Sequence, residues 1–130
     1  MDEKIIIRTQ LHHLHDQIIS VINFSENGLV FEYNNLKQFN NHENNNYCKI
    51  ELFDSDYFCM NILSHKKVKR VYDEEICEYL KKLQLKIETQ FWYMGFESIL
   101  VKGTLVDKKG RYKDSILLEI ACKYIRYTWR

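Results

Sequence analysis

Residues 15–33 read HDQIISVINFSENGLVFEY, and the period of this stretch decides the fold class. From His15 to Phe24, Ile18, Ser20, Ile22 and Phe24 share one face of an extended chain, while Gln17, Ile19, Val21 and Asn23 share the other. This two-residue period with abundant β-branched side chains predicts a strand. Ser25-Glu26-Asn27-Gly28 follows, and Asn27-Gly28 offers the two positive-φ positions of a type I′ turn before Leu29 to Tyr33 resumes the alternation. A β-hairpin is expected over 15–33.

The same alternation recurs outward from this hairpin. Residues 34–46 (NNLKQFNNHENNN) hold seven asparagines, a composition that favours turns and side-chain to backbone hydrogen bonds, so a surface loop is expected. Tyr47 to Phe53 and Tyr57 to Leu63 flank Asp54-Ser55-Asp56 and read as a second hairpin. Asp73 is placed to cap a helix with Glu74 and Glu75 in its first turn and Lys81 and Lys82 in its last, charges that suit the helix dipole. Ile76, Tyr79, Leu80 and Leu83 form its apolar stripe. The period then returns to two, with Leu85, Ile87, Thr89, Phe91 and Tyr93 on one side and Lys86, Glu88 and Gln90 on the other. Ile99 to Val106 and Ser115 to Tyr127, joined through Asp107-Lys108-Lys109-Gly110-Arg111, read as a third hairpin. Short loops between sequential strands predict an α+β fold, mainly β: an antiparallel meander of about six to seven strands, curved or barrel-like, with one helix packed on it.

Composition bounds the function. The chain has 130 residues, 45% of them hydrophobic and 14% aromatic, enough to build one core, so residues 1–130 are read as a single domain. Lysine and arginine (19) nearly balance aspartate and glutamate (18), so no overall field steers the protein toward nucleic acid or anionic lipid. Met1-Asp2-Glu3-Lys4 and the short Ile5-Ile6-Ile7 run lack the form of a secretory signal, and no segment approaches a membrane span. A cytoplasmic protein that does not enter membranes is expected, with Cys48, Cys59, Cys77 and Cys122 reduced because no CxxC pair or zinc-ribbon spacing joins them.

Three clusters are candidates for chemistry or contact. His12-His13-Leu14-His15-Asp16 would place His13 and His15 on one face of a strand, where Asp16 would help them hold a metal. The simpler reading gives His15 or Asp16 ordinary hydrogen bonds at the strand entry. Ser64 to Arg70 packs Lys66, Lys67, Lys69 and Arg70 between tyrosines, a pattern for phosphate, nucleic acid or an acidic partner. Phe91-Trp92-Tyr93-Met94-Gly95-Phe96 concentrates aromatics. In a strand, Trp92 must lie opposite Phe91 and Tyr93, so one set would face the core and the other solvent. No phosphate cradle, nucleophile elbow or HExxH helix occurs in the sequence, and no catalytic residue or cofactor is assigned.

The stretch Leu14 to Ile22 (LHDQIISVI), followed by Gly28-Leu29-Val30-Phe31, resembles the opening of several small uncharacterised bacterial families, some associated with immunity to polymorphic toxins. The resemblance implies a protein that binds and blocks a toxin. His15-Asp16 also resembles the pair that names the metal-dependent phosphohydrolases, but that family is wholly helical and needs further spaced ligands. The richness in Asn, Lys and Ile suits an AT-rich bacterial or phage genome. The reading is therefore a cytoplasmic inhibitory module that binds a toxin or enzyme stoichiometrically. Its expected contacts are Trp92, Tyr93 and Phe96 as apolar anchors, with Lys66, Lys67, Lys69 and Arg70 as a charged rim. The alternative is a small metal-dependent enzyme or ligand-binding barrel using His13, His15 and Asp16.

Overall fold

The computed structural model of the chain describes residues 2–6, 14–25, 28–36 and 46–129. Among them, the chain forms β1 (Asp2–Ile6), β2 (Gln17–Ile19), β3 (Val21–Ser25), β4 (Gly28–Tyr33), β5 (Cys48–Phe53), β6 (Tyr57–Ser64) and β7 (Lys67–Tyr72). Helix α1 (Glu74–Leu83) follows, then β8 (Lys86–Gly95), β9 (Ser98–Val106), β10 (Tyr112–Ala121) and β11 (Tyr124–Trp129). Every pairing is antiparallel. The strands form a five-stranded sheet, β1-β11-β5-β4-β3, and a six-stranded sheet, β2-β8-β9-β10-β6-β7.

The mainly β, α+β class with a single helix is what the period of the sequence predicts. The arrangement goes beyond a meander of six or seven strands, because the eleven described strands divide between two open sheets and neither closes into a barrel. Two stretches read as single strands each bend from one sheet to the other. Residues 17–25 cross at Ser20, whose N–H donates to the Glu32 carbonyl (2.7 Å) and whose Oγ accepts from the Asn34 N–H (3.0 Å). Residues 112–129 cross at Cys122 and Lys123. The expected hairpin over 47–63 is also replaced by a crossing: β5 pairs with β4 and β11, whereas β6 pairs with β10 and β7. Period two marks a strand without naming its neighbour, so these switches are silent in the sequence.

The inner faces meet in one core. Leu29, Phe31 and Tyr33 of β4 and Cys48, Ile50 and Leu52 of β5 are buried opposite Phe58, Met60 and Ile62 of β6, Trp92 of β8, and Ile116, Leu118 and Ile120 of β10. Ring contacts bridge the layers: Phe31 lies edge-on to Trp92 (5.7 Å between centroids) and 6.0 Å from Phe58. The Tyr33 hydroxyl donates to Thr89 Oγ1 (3.0 Å), leaving the Thr89 hydroxyl to donate to the Leu14 carbonyl (2.9 Å). Burial raises the Tyr33 phenol far above its ordinary pKa.

The hairpin of β3 and β4 pairs Ser25 with Gly28. Gly28 therefore sits in the ladder rather than at a turn centre, and Glu26 and Asn27 lie outside the described residues. Its φ is +130°, and a Cβ there would come within 2.4 Å of the Leu52 carbonyl oxygen, so only glycine lets β4 approach β5 this closely.

Helix α1 closes the side of the sandwich between edge strands β3 and β7. Ile76 and Leu80 are buried, and the Cys77 thiol donates to the Ile22 carbonyl (3.4 Å). The charged turns are as expected, but Asp73 makes no side-chain capping bond: its backbone carbonyl accepts from the Ile76 N–H (3.0 Å) instead. Leu83 is 49% exposed rather than part of the buried stripe. The helix ends there in a Schellman turn, with Gln84 N–H donating to Lys81 O and Leu85 N–H to Leu80 O. Leu85 replaces Leu83 against the core.

Candidate functional site

The two outer faces of the sandwich differ in chemistry. On the five-stranded sheet, Glu32, Lys49, Glu51 and Arg126 project outward, and Arg126 grips Glu51 with two bonds of 3.0 and 2.9 Å. Tyr47 caps Glu32 (2.5 Å), and Arg126 covers the Phe53 ring. The charges of that face are paired among themselves, and its exposed apolar groups, Val21 and Tyr124, are few.

The six-stranded sheet presents apolar and aromatic groups. One cross-strand row runs Phe91, Lys102, Leu117, Asn61, Arg70, and the next runs Tyr93, Leu100, Glu119, Cys59, Tyr72. Phe91, Tyr93, Leu100 and Tyr72 are exposed, as are Tyr57, Leu63 and Val68 around them. Four inter-strand steps separate β8 from β7, so the face spans about 19 Å. Phe91 and Tyr93 rings lie 6.1 Å apart at one side, Tyr57 and Tyr72 rings 6.3 Å apart at the other.

Polar groups order the centre. The Asn61 amide donates to Glu119 Oε1 (3.2 Å) and to the Leu117 carbonyl (3.1 Å), and Tyr57 Oη donates to Glu119 Oε2 (3.5 Å). The Tyr57 phenol is pushed up to about 12, first by its hydrogen bond with Cys59, then by burial and nearby Glu119. Lys102 and Arg70 make no ion pair among the described residues, although Tyr72 first, and the Glu119 carboxylate to a lesser degree, favour the charged Arg70 guanidinium.

A bulge decides which aromatics are exposed. Thr89 pairs with Gly103 but Phe91 with Lys102, so Gln90 is an extra residue on β8. The phase shifts there: Ile87 and Thr89 point inward, whereas Phe91 and Tyr93 point outward. The expected common face for these four is thereby corrected. Trp92 is consequently a core residue, 6% exposed, and not an apolar anchor on the surface. Tyr93 is 53% and Phe96 82% exposed, Phe96 in the turn between β8 and β9.

The expected cationic rim is likewise divided. Arg70 shares the outer face with Asn61, but Lys67 and Lys69 alternate to the other side, where Lys69 Nζ sits 4.9 Å from the Tyr79 ring, and Lys66 occupies the β6–β7 turn. Lys102, Leu100, Tyr57 and Tyr72 complete the face instead. Their side chains alternate as any half-buried strand does, so nothing in sequence singled them out.

The chain matches no protein-family model, no curated protein and no solved structure.

At the N-terminal cluster, His15 Nδ1 bonds the Gln90 carbonyl, Nε2 faces Asp16 Oδ2 at 3.2 Å, and the ring packs on Phe91 at 5.0 Å. Asp16, with φ of 61°, donates its N–H to the Thr89 carbonyl (2.8 Å). Both residues thus serve the entry to β2 and extend the aromatic face. His12 and His13 lie outside the described residues, and no group of three or more metal-ligating side chains assembles among those described. Beside them the Glu88 carboxylate, nearly buried, accepts from the Tyr112 hydroxyl (3.0 Å), which raises the Tyr112 phenol. All four cysteines are free thiols. No helix among the described residues is long and apolar enough to cross a membrane.

Proposed function

We propose that this chain is a protein-binding module of the immunity or inhibitor type, acting by stoichiometric occlusion of a toxin or enzyme through the outer face of its six-stranded sheet. The observation that supports this reading is the contrast between the two outer faces. One pairs its charges internally; the other exposes Phe91, Tyr93, Leu100, Tyr57 and Tyr72 around two cations that make no ion pair among the described residues. Exposed apolar patches of this extent mark interaction sites, and tyrosine and arginine dominate the residues that carry binding energy. The partner's surface is apolar, with carboxylates set opposite Lys102 and Arg70.

The test begins with capture of a partner from the source cells and reconstitution of the complex from purified proteins. The expected result is a 1:1 complex that silences the partner's activity. Phe91→Ser combined with Tyr93→Ser and Leu100→Ser is expected to weaken it by at least about 100-fold while leaving the fold intact. A complex that the triple variant forms with unchanged affinity would remove this face from the reading.

A further inference from the structure

At the end of the sandwich where β2 and β8 part company, a cleft of about 780 Å³ opens between residues 17–22, the C-terminal turn of α1 and the β9–β10 turn. Its size lies within the range of small-molecule sites. The walls are mainly apolar, formed by Ile19, Ile22, Leu80, Leu85, Ile87 and Val106, with Gln17, Ser20, Asn35 and Gln84 as the uncharged polar groups. The charged residues of the lining are Lys81, Lys86, Lys108 and Asp107. Asp107 is already engaged: it accepts from the backbone of Lys109 and Arg111 and from Arg111 Nε, each at 2.9 Å, with Lys113 Nζ at 3.8 Å. The three lysines come from three different elements, and none has an ion-pair partner among the described residues. A mainly apolar cleft with three lysines in its lining that make no ion pair among the described residues is complementary to a molecule with an apolar body and one anionic end.

We propose that this cleft binds a small amphipathic anion, a single-chain carboxylate being the simplest member, with the chain against the isoleucine and leucine walls and the carboxylate among Lys81, Lys86 and Lys108. None of the lining residues belongs to the aromatic face, so the site is independent of partner docking there. Cys77 lines the same cleft half-buried, whereas Cys48, Cys59 and Cys122 are buried, so its thiol reports occupancy.

Dodecanoate serves as the probe, with dodecanol as its uncharged counterpart, in titration calorimetry and in maleimide labelling of Cys77 read by mass spectrometry. The wild-type chain is expected to bind one dodecanoate with a Kd below about 100 μM, as a ligand of this size allows, and binding is expected to slow Cys77 labelling. Lys81→Gln, Lys86→Gln and Lys108→Gln together, all at exposed positions, are expected to weaken dodecanoate about tenfold and to leave dodecanol within about twofold. Absence of saturable dodecanoate binding, equal affinity in the triple variant, or labelling of Cys77 that ignores bound dodecanoate would each overturn the assignment.

Discussion

At the scale of single residues, the side chains that hold this fold differ from those a strand pattern makes conspicuous. Asp107 knots the β9–β10 turn, and its hydrogen bonds, first those from the Arg111 and Lys109 backbone and the Arg111 side chain, depress its pKa from 3.8 to about 2. A carboxyl whose folded pKa is depressed stabilises the native state above its unfolded pKa and loses that contribution as pH falls through the folded one. Asp107→Asn is therefore expected to lower Tm at neutral pH and to flatten the acid limb of stability between about pH 4 and 2. Thermal melts of both proteins across that window check the sign. Tyr127 presents the opposite case, a buried hydroxyl with no hydrogen-bond partner among the described residues. Replacing it with phenylalanine removes a desolvated polar group without opening space, so Tyr127→Phe should gain about 1 kcal/mol. Urea unfolding with an unchanged m value would measure it, and a loss instead would mean that the hydroxyl has a partner. The turn at Asp107 was legible from its Asp, Lys and Gly residues, whereas the unsatisfied hydroxyl follows from packing across two sheets.

At the scale of elements, α1 and β8 show how local rules and context divide the work. The helix was readable from its 3.6-residue stripe and its charge placement, and it ends at Leu83 where the stripe ends, yet Leu83 itself is exposed. Gln84 occupies the left-handed position of the Schellman turn with φ of 55°, a conformation that costs a side-chain-bearing residue about 1 kcal/mol relative to glycine. Gln84→Gly is expected to raise stability by up to about that amount, read as an upward shift of the denaturation midpoint. If Gln84→Gly lowers the midpoint, the flexibility added to the unfolded chain outweighs the strain removed. In β8, one extra residue at Gln90 reverses which side chains face the core. Beyond the bulge Phe91-Trp92-Tyr93-Met94 is an unbroken apolar run, so the sequence carries no mark of the shift or of which aromatics it turns outward. That single insertion hides Trp92 and exposes Phe91 and Tyr93, and with them sets the character of the proposed docking face.

At the scale of the whole molecule, the two sheets are not separable layers. Residues 17–25 and 112–129 each pass from one sheet to the other, and Phe31, Phe58 and Trp92 join across the interior. Loss of either sheet would expose the inner face of the other, so unfolding is expected to be one cooperative transition. Far-UV circular dichroism, which reports the strands, and tryptophan fluorescence, in which Trp92 reports the core, should trace coincident curves in urea; separated midpoints would show sheets that melt independently. Trp92→Ala should then cost about 3–5 kcal/mol through the cavity it leaves. By itself, the sequence determined the β-rich class, the single helix, the β3–β4 hairpin, the turn at 107–111, and the presence of an aromatic run on a strand. Each of these is written in spacing over a few residues and in the conformational limits of Gly, Asn and Asp. Only the tertiary structure decided the division into two sheets, the strand order, the outward turn of Phe91 and Tyr93, and the meeting of Lys81, Lys86 and Lys108 around one cleft. Those features rest on contacts between segments far apart in the chain, where hydrogen bonds and burial are shared by partners that no local period identifies.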